Sequence, residues 1–188
     1  MTKRRKIHLR HPTVNLGVPQ SKPVRAALLC VDVAANAGWA LYAEGRLRAY
    51  GEVDTRQPAR RQRVCVDAHT TATVRDLPLV LALEIPFGGY LRAVMALDTA
   101  RVLWRDTWTS LGLPASRILE LTATQWRKPL FGSRPLSRTV AREMEAALAM
   151  QVACADGCYR PNHAPGADAA AAICVPWLRR RSRPRHPQ

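Results

Sequence analysis

Two stretches of the chain are apolar without a break except for one carboxylate near the end of each. The first is Ala26-Ala27-Leu28-Leu29-Cys30-Val31-Asp32-Val33; the second is Leu77-Pro78-Leu79-Val80-Leu81-Ala82-Leu83-Glu84-Ile85-Pro86-Phe87. A short continuous apolar run reads as a strand covered on both faces, which is the condition of strands in a parallel sheet. An unpaired ionised acid is costly in such a place, so a cation belongs beside it. If the two strands are parallel neighbours, Asp32 and Glu84 lie side by side at the carboxyl edge, where open α/β sheets place their sites. Two like charges that close cannot both stay ionised without a metal ion or a shared proton.

The rest of the chain supplies the layers such a sheet needs. After the Asp32 strand, the small-residue turn 34–38 leads to Trp39-Ala40-Leu41-Tyr42 and then to Arg46 through Val53, predicting a three-stranded antiparallel meander. Residues 58–75 suit a helix with Arg60, Arg61 and Arg63 in its first turns and Val64, Val66, Val74 and Leu77 available for packing. Cations at that end oppose the helix dipole; this fits a binding use as well as a solvated face. Gly88-Gly89 permits a turn into a helix over 90–111, with Leu91, Val94, Met95, Leu97, Val102 and Leu103 at helical spacing. Residues 117–121 predict a second parallel strand, 122–128 a short helix, 129–135 a Gly-, Pro- and Arg-containing loop, and 138–154 a helix packing through Val140, Met144, Ala147, Leu148 and Val152. Beyond a connector at 155–165, the Ala-rich run 167–175 predicts a helix narrow enough to lie close on a sheet, with Asp168 in its first turn.

This organisation sets one domain over 25–178 between a basic arm at 1–24 and a basic tail at 179–188. The formal charge of +15, from 29 Lys and Arg against 14 Asp and Glu, exceeds what solubility needs and points to a polyanionic partner, foremost nucleic acid. An Arg- and Ala-rich composition is also what a GC-rich coding sequence yields. No stretch reaches the roughly 18 to 20 apolar residues of a membrane span, and no signal-peptide core is present, so a cytoplasmic protein without membrane attachment is expected. Five cysteines, one of them Cys30 inside an apolar strand, are expected as reduced thiols. Cys154-x3-Cys158-x4-His163 is not a standard zinc spacing and has no evident fourth ligand.

An Asp in the first strand, a Glu in the fourth and an Asp opening a late Ala-rich helix together resemble the RuvC-type Holliday junction resolvases of the ribonuclease H-like superfamily, from about residue 26 to 178. The resemblance implies a five-stranded mixed α/β sheet, three strands antiparallel and then two parallel, flanked by helices. Asp32 with Gly38-Trp39 is similar to the family's first-strand motif, and Glu84-Ile85-Pro86-Phe87 to its E-x-x-F element, whose Phe stacks on bases at the junction centre. Thr124-Gln125-Trp126-Arg127-Lys128, with Gly132 and Arg138, resembles the segment that brings basic side chains to the scissile backbone; Asp168-Ala169-Ala170-Ala171 resembles the terminal D-A-x-A. Thus Asp32, Glu84 and Asp168 are the implied catalytic, metal-binding acids, and His163 is a further candidate ligand. Phe87, Arg127, Lys128, Arg134 and Arg138, with Arg60 and Arg61 from the basic helix, are the implied DNA contacts.

Ala34 stands where the family has a glycine, Arg138 near a common lysine, and Pro165 where a second acid or His is frequent. His163 serves as a ligand if the connector bends inward and is otherwise a surface histidine. The chemistry implied is hydrolysis of phosphodiesters at four-way or branched double-stranded DNA with two Mg²⁺ ions, or Mn²⁺, leaving 5′-phosphate ends, carried out by a homodimer making paired cuts. Alternatives are a ribonuclease H-like binding protein without activity, and a related nuclease acting on RNA or RNA–DNA hybrids.

Overall fold

A computed structural model describes residues 25–85, 91–131, 137–159, 164–166, 169 and 172. The first three strands are β1 (Ala27–Asp32), β2 (Asn36–Ala43) and β3 (Arg46–Asp54), followed by helix α1 (Pro58–Val74), strand β4 (Leu79–Ile85) and helix α2 (Leu91–Ser110). A 3₁₀ turn at Ala115–Arg117 leads into β5 (Ile118–Thr122), and helices α3 (Ala123–Phe131) and α4 (Arg138–Ala155) follow. The sheet has five strands in the order β3-β2-β1-β4-β5, with β1–β2 and β2–β3 antiparallel and β1–β4 and β4–β5 parallel. The mixed sheet expected from sequence is therefore observed.

Local chemistry explains the joints. The β2–β3 turn takes positive φ at both Glu44 (57°) and Gly45 (76°), the twist that closes a two-residue hairpin. The edge strand β3 is shielded at its start: the Leu47 N–H donates to Asp156 Oδ2 at 2.7 Å, and Cys158 Sγ donates to the Leu47 carbonyl at 3.0 Å. Cys158 is thus occupied in fastening the end of α4 to the sheet. Helix α4 is capped by Ser137, whose Oγ accepts from the Val140 N–H at 3.3 Å.

Strand alternation divides the core in two. On one face Leu29, Val31, Leu81 and Leu83 pack beneath α1 and α2; on the other Cys30, Ala40, Tyr42, Leu47 and Ala82 pack with Trp126, Leu148, Val152 and Ala172. Helix extents follow the sequence closely, but their buried faces do not. On α1 the core side is Arg61, Val64, Cys65, Ala68 and Ala72, while Val66 and Val74 are exposed. On α2 it is Ala100, Trp104, Thr107 and Trp108, while Leu91, Met95 and Val102 are 73%, 60% and 41% exposed. On α4 it is Ala141, Glu145, Leu148, Ala149, Val152 and Ala153, and Val140 is exposed. On α1 and α2 the small residues Ala68, Ala72 and Ala100 let the backbone lie close on the sheet, and that contact selects the stripe. Finally, α3 runs to Phe131, so Pro129 lies inside a helix and not in the expected loop; it lacks the N–H that would close a helical bond four residues back.

Candidate active site

The register of β1 and β4 places the two strand acids together. Val31 pairs with Leu83, and Asp32 and Glu84 are the next residue on each strand. Both belong to the alternate set that includes Cys30 and Ala82, so both side chains leave the sheet on the α4 face, at the carboxyl ends of parallel neighbours. Gly38 lies opposite Asp32 on β2, and Glu52 lies opposite Gly38 on β3. One row across the sheet therefore reads Glu52, Gly38, Asp32, Glu84, Leu121. The turn after Asp32 is tied to the end of β3: the Thr55 hydroxyl donates to the Ala34 carbonyl at 2.6 Å, and the Thr55 N–H to the Ala35 carbonyl at 2.8 Å.

Glu84 is half-buried, and its Oε2 accepts the indole Nε1–H of Trp126 at 2.7 Å. Trp126 is fully buried. It is brought there by a reciprocal cap at the start of α3, in which the Thr122 N–H donates to Gln125 Oε1 at 2.7 Å and the Gln125 N–H to Thr122 Oγ1 at 3.3 Å. Arg127 follows. Its guanidinium sits 4.8 Å from the Trp126 ring centroid, and its Nε donates to Glu145 Oε1 at 2.6 Å. Burial raises the Glu84 pKa above its ordinary value; the nearby Arg127 charge and the Trp126 hydrogen bond oppose the rise, and the negative charge of Glu145 adds to it. Burial likewise raises Glu145, against the attraction of Arg127 and Arg142.

The structure thus brings Asp32 and Glu84 together. Asp168, His163, Phe87 and Arg134 lie outside the described residues, and Arg138 opens α4 with its side chain outside them. Lys128 is exposed on α3, and Arg60 is exposed at the start of α1 on the opposite face of the sheet. Arg61 departs from expectation. It is 5% exposed, donating from Nε to Thr107 Oγ1 at 3.1 Å and from a terminal nitrogen to the Thr55 carbonyl. Its guanidinium joins α1, α2 and the end of β3 in the core, where phosphate does not reach, so it is a structural residue and not a DNA contact. Arg127 is turned toward Glu145 and Trp126, with its side chain 37% exposed.

Glu145 was missed from sequence, although a signal exists. It is the lone acid in the stripe Ala141, Glu145, Leu148, Val152, as Asp32 and Glu84 are lone acids in their strands. Among the described residues no group of three or more His, Cys, Asp or Glu is placed to hold a metal ion; Asp32 and Glu84 are the two acids of the row that are strand neighbours. As oxygen donors at adjacent positions they fit a hard divalent cation.

Compared with solved structures, the chain is similar to Thermus thermophilus RuvC in complex with a Holliday junction substrate, with a TM-score of 0.55 over 81% of this chain and 93% of that one, at 15% identity. This is the fold of RuvC. A second Thermus thermophilus RuvC structure matches with a TM-score of 0.53 over the same shares, at 16% identity. No protein-family model and no curated protein matches the sequence. The likeness is one of fold, the five-stranded mixed sheet flanked by helices, and among the described residues no helix is long and apolar enough to cross a membrane.

Proposed function

We propose that the chain is a metal-dependent endonuclease that cuts branched DNA, with four-way junctions as its substrate class. The observation that carries this is the adjacency of Asp32 and Glu84 at the carboxyl edge of parallel β1 and β4, in a chain of formal charge +15. A third acid, Asp168, is two residues beyond Gly166, whose backbone lies so close to Glu52 that a Cβ there would collide with Oε1. The connector therefore meets the same row of the sheet just before that acid.

In this reading Asp32, Glu84 and Asp168 hold two Mg²⁺ ions, or Mn²⁺, with His163 as a further candidate. When bound, such ions lower the pKa of the attacking water and stabilise the departing 3′ oxygen, leaving a 5′ phosphate. Lys128, Arg134, Arg138 and Arg60 meet phosphates, and Phe87 stacks on a base at the opened centre. A homodimer supplies the second cut. Leu91, Met95 and Val102 lie within one side of α2 and are exposed, and we assign that stripe to a second copy.

The deciding assay incubates the protein with a labelled four-way junction, a matched linear duplex, a single-stranded RNA and an RNA–DNA hybrid, with Mg²⁺ and with chelator. Paired Mg²⁺-dependent nicks in the junction are expected. Cleavage of the RNA or the hybrid alone would move the substrate class, and binding without cleavage of any substrate would refute the nuclease.

A further inference from the structure

The hydrogen bond to Glu84 is the end of a longer chain of interactions that the catalytic proposal does not use. Trp126 Nε1–H donates to Glu84 Oε2 at 2.7 Å; the Arg127 guanidinium covers the Trp126 ring at 4.8 Å; Arg127 Nε donates to Glu145 Oε1 at 2.6 Å. They join β4, α3 and α4, three elements that sequence proximity does not hold together. Trp126 is 0% and Glu145 1% exposed, so neither is a surface ornament. Nor is fold stability a sufficient reason for the arrangement. A buried ion pair is weak support for a fold, because apolar residues of similar volume serve as well or better. What an apolar replacement would not do is fix one oxygen of the Glu84 carboxylate and keep a cation close to two neighbouring acids.

We infer that Trp126, Arg127 and Glu145 are positioning residues for Glu84, holding its carboxylate in the orientation in which it meets a divalent cation beside Asp32. Trp126 fixes Oε2 through a single directional N–H. Arg127 fixes the plane of the indole and balances the Glu84 and Glu145 charges. Glu145, anchored in the interior of α4, holds Arg127 over the ring. The inference rests on the proposed metal-dependent nuclease, and partners behind a ligating carboxylate are known to govern metal affinity by 10- to 100-fold.

The test compares Trp126→Phe, which removes the N–H but keeps an aromatic ring, and Glu145→Gln, which keeps the shape and removes the charge, with wild type and Glu84→Gln. Mn²⁺ binding to the DNA-free protein is measured by calorimetry, with melting without metal and junction binding in chelator alongside. The expected result is Mn²⁺ affinity about 10-fold weaker in Trp126→Phe and weakened in Glu145→Gln, a matching shift in the Mn²⁺ concentration for half-maximal cleavage, and unchanged junction binding. Should one variant fail to fold, the other decides. Wild-type Mn²⁺ affinity in a folded variant, alongside lost affinity in Glu84→Gln, overturns the positioning role and leaves the nuclease proposal standing. Absence of Mn²⁺ binding by the wild type overturns both.

Discussion

Arg127 and Glu145 form an ion pair whose halves stand in unlike surroundings, and this asymmetry sets what each substitution costs. The Glu145 side chain is 2% exposed and that of Arg127 37%. Arg127→Met removes the cation and strands a buried carboxylate, a change that costs about 3–5 kcal/mol. Glu145→Gln leaves a guanidinium that water still reaches, and the amide oxygen keeps an acceptor for its Nε, so about 1 kcal/mol is expected. The double variant Arg127→Met/Glu145→Leu replaces the pair by apolar side chains and should recover most of that stability.

The same argument fixes a pH dependence. Burial raises the Glu145 pKa above its ordinary 4.5 even with Arg127 present, and removing Arg127 raises it further. A carboxyl with a raised native pKa contributes stability that is fully present below the unfolded value and lost as pH rises through the native one. The deficit of Arg127→Met should therefore grow with pH, by about 1.4 kcal/mol per unit over the interval between the wild-type and the variant native pKa of Glu145, since below it both proteins lose stability alike. Urea denaturation of the metal-free protein at about pH 5.5 and about pH 7.5 measures it. Equal costs for the two single variants, or a deficit that does not change with pH, would refute the reasoning.

Asp32→Asn should abolish Mg²⁺-dependent cleavage, retain junction binding in chelator, and leave the metal-free protein at least as stable, because repulsion between neighbouring carboxylates is relieved; retained cleavage would contradict the site. Met95→Glu, in the exposed stripe of α2, should convert a sedimenting dimer to monomer with melting nearly unchanged, whereas an unaltered sedimentation profile would remove this stripe from the interface. Deleting 1–22 and 179–188 should shallow the salt dependence of DNA affinity, by up to about 0.9 in logarithmic slope for each phosphate that is no longer neutralised; an identical slope would exclude both segments.

Local pattern carried the strands and their acids. An apolar run that ends in one carboxylate fixes both the strand and the place of its acid, since alternation along a strand has only two faces to choose between. The two runs therefore placed Asp32 and Glu84 at one edge, and the pairing of Val31 with Leu83 is the arrangement they require. Helix extents were equally local, as the boundaries of α1 and α4 attest. Helix phase was not. On α2 one apolar set holds Leu91, Met95 and Val102 and another Ala100, Trp104 and Trp108; periodicity alone does not rank them, and the surface of the sheet takes the second because its alanine permits close approach and its indoles fill the space beside it. Tertiary packing likewise decided that Arg61 belongs to the core and that Trp126, 42 positions from Glu84, donates to it. A side chain's electrostatic partner depends on which elements fold against each other, so Asp32 and Glu84 were legible in the chain as acids at one sheet edge, and the chain of contacts from Glu84 through Trp126 and Arg127 to Glu145 was visible only in the fold.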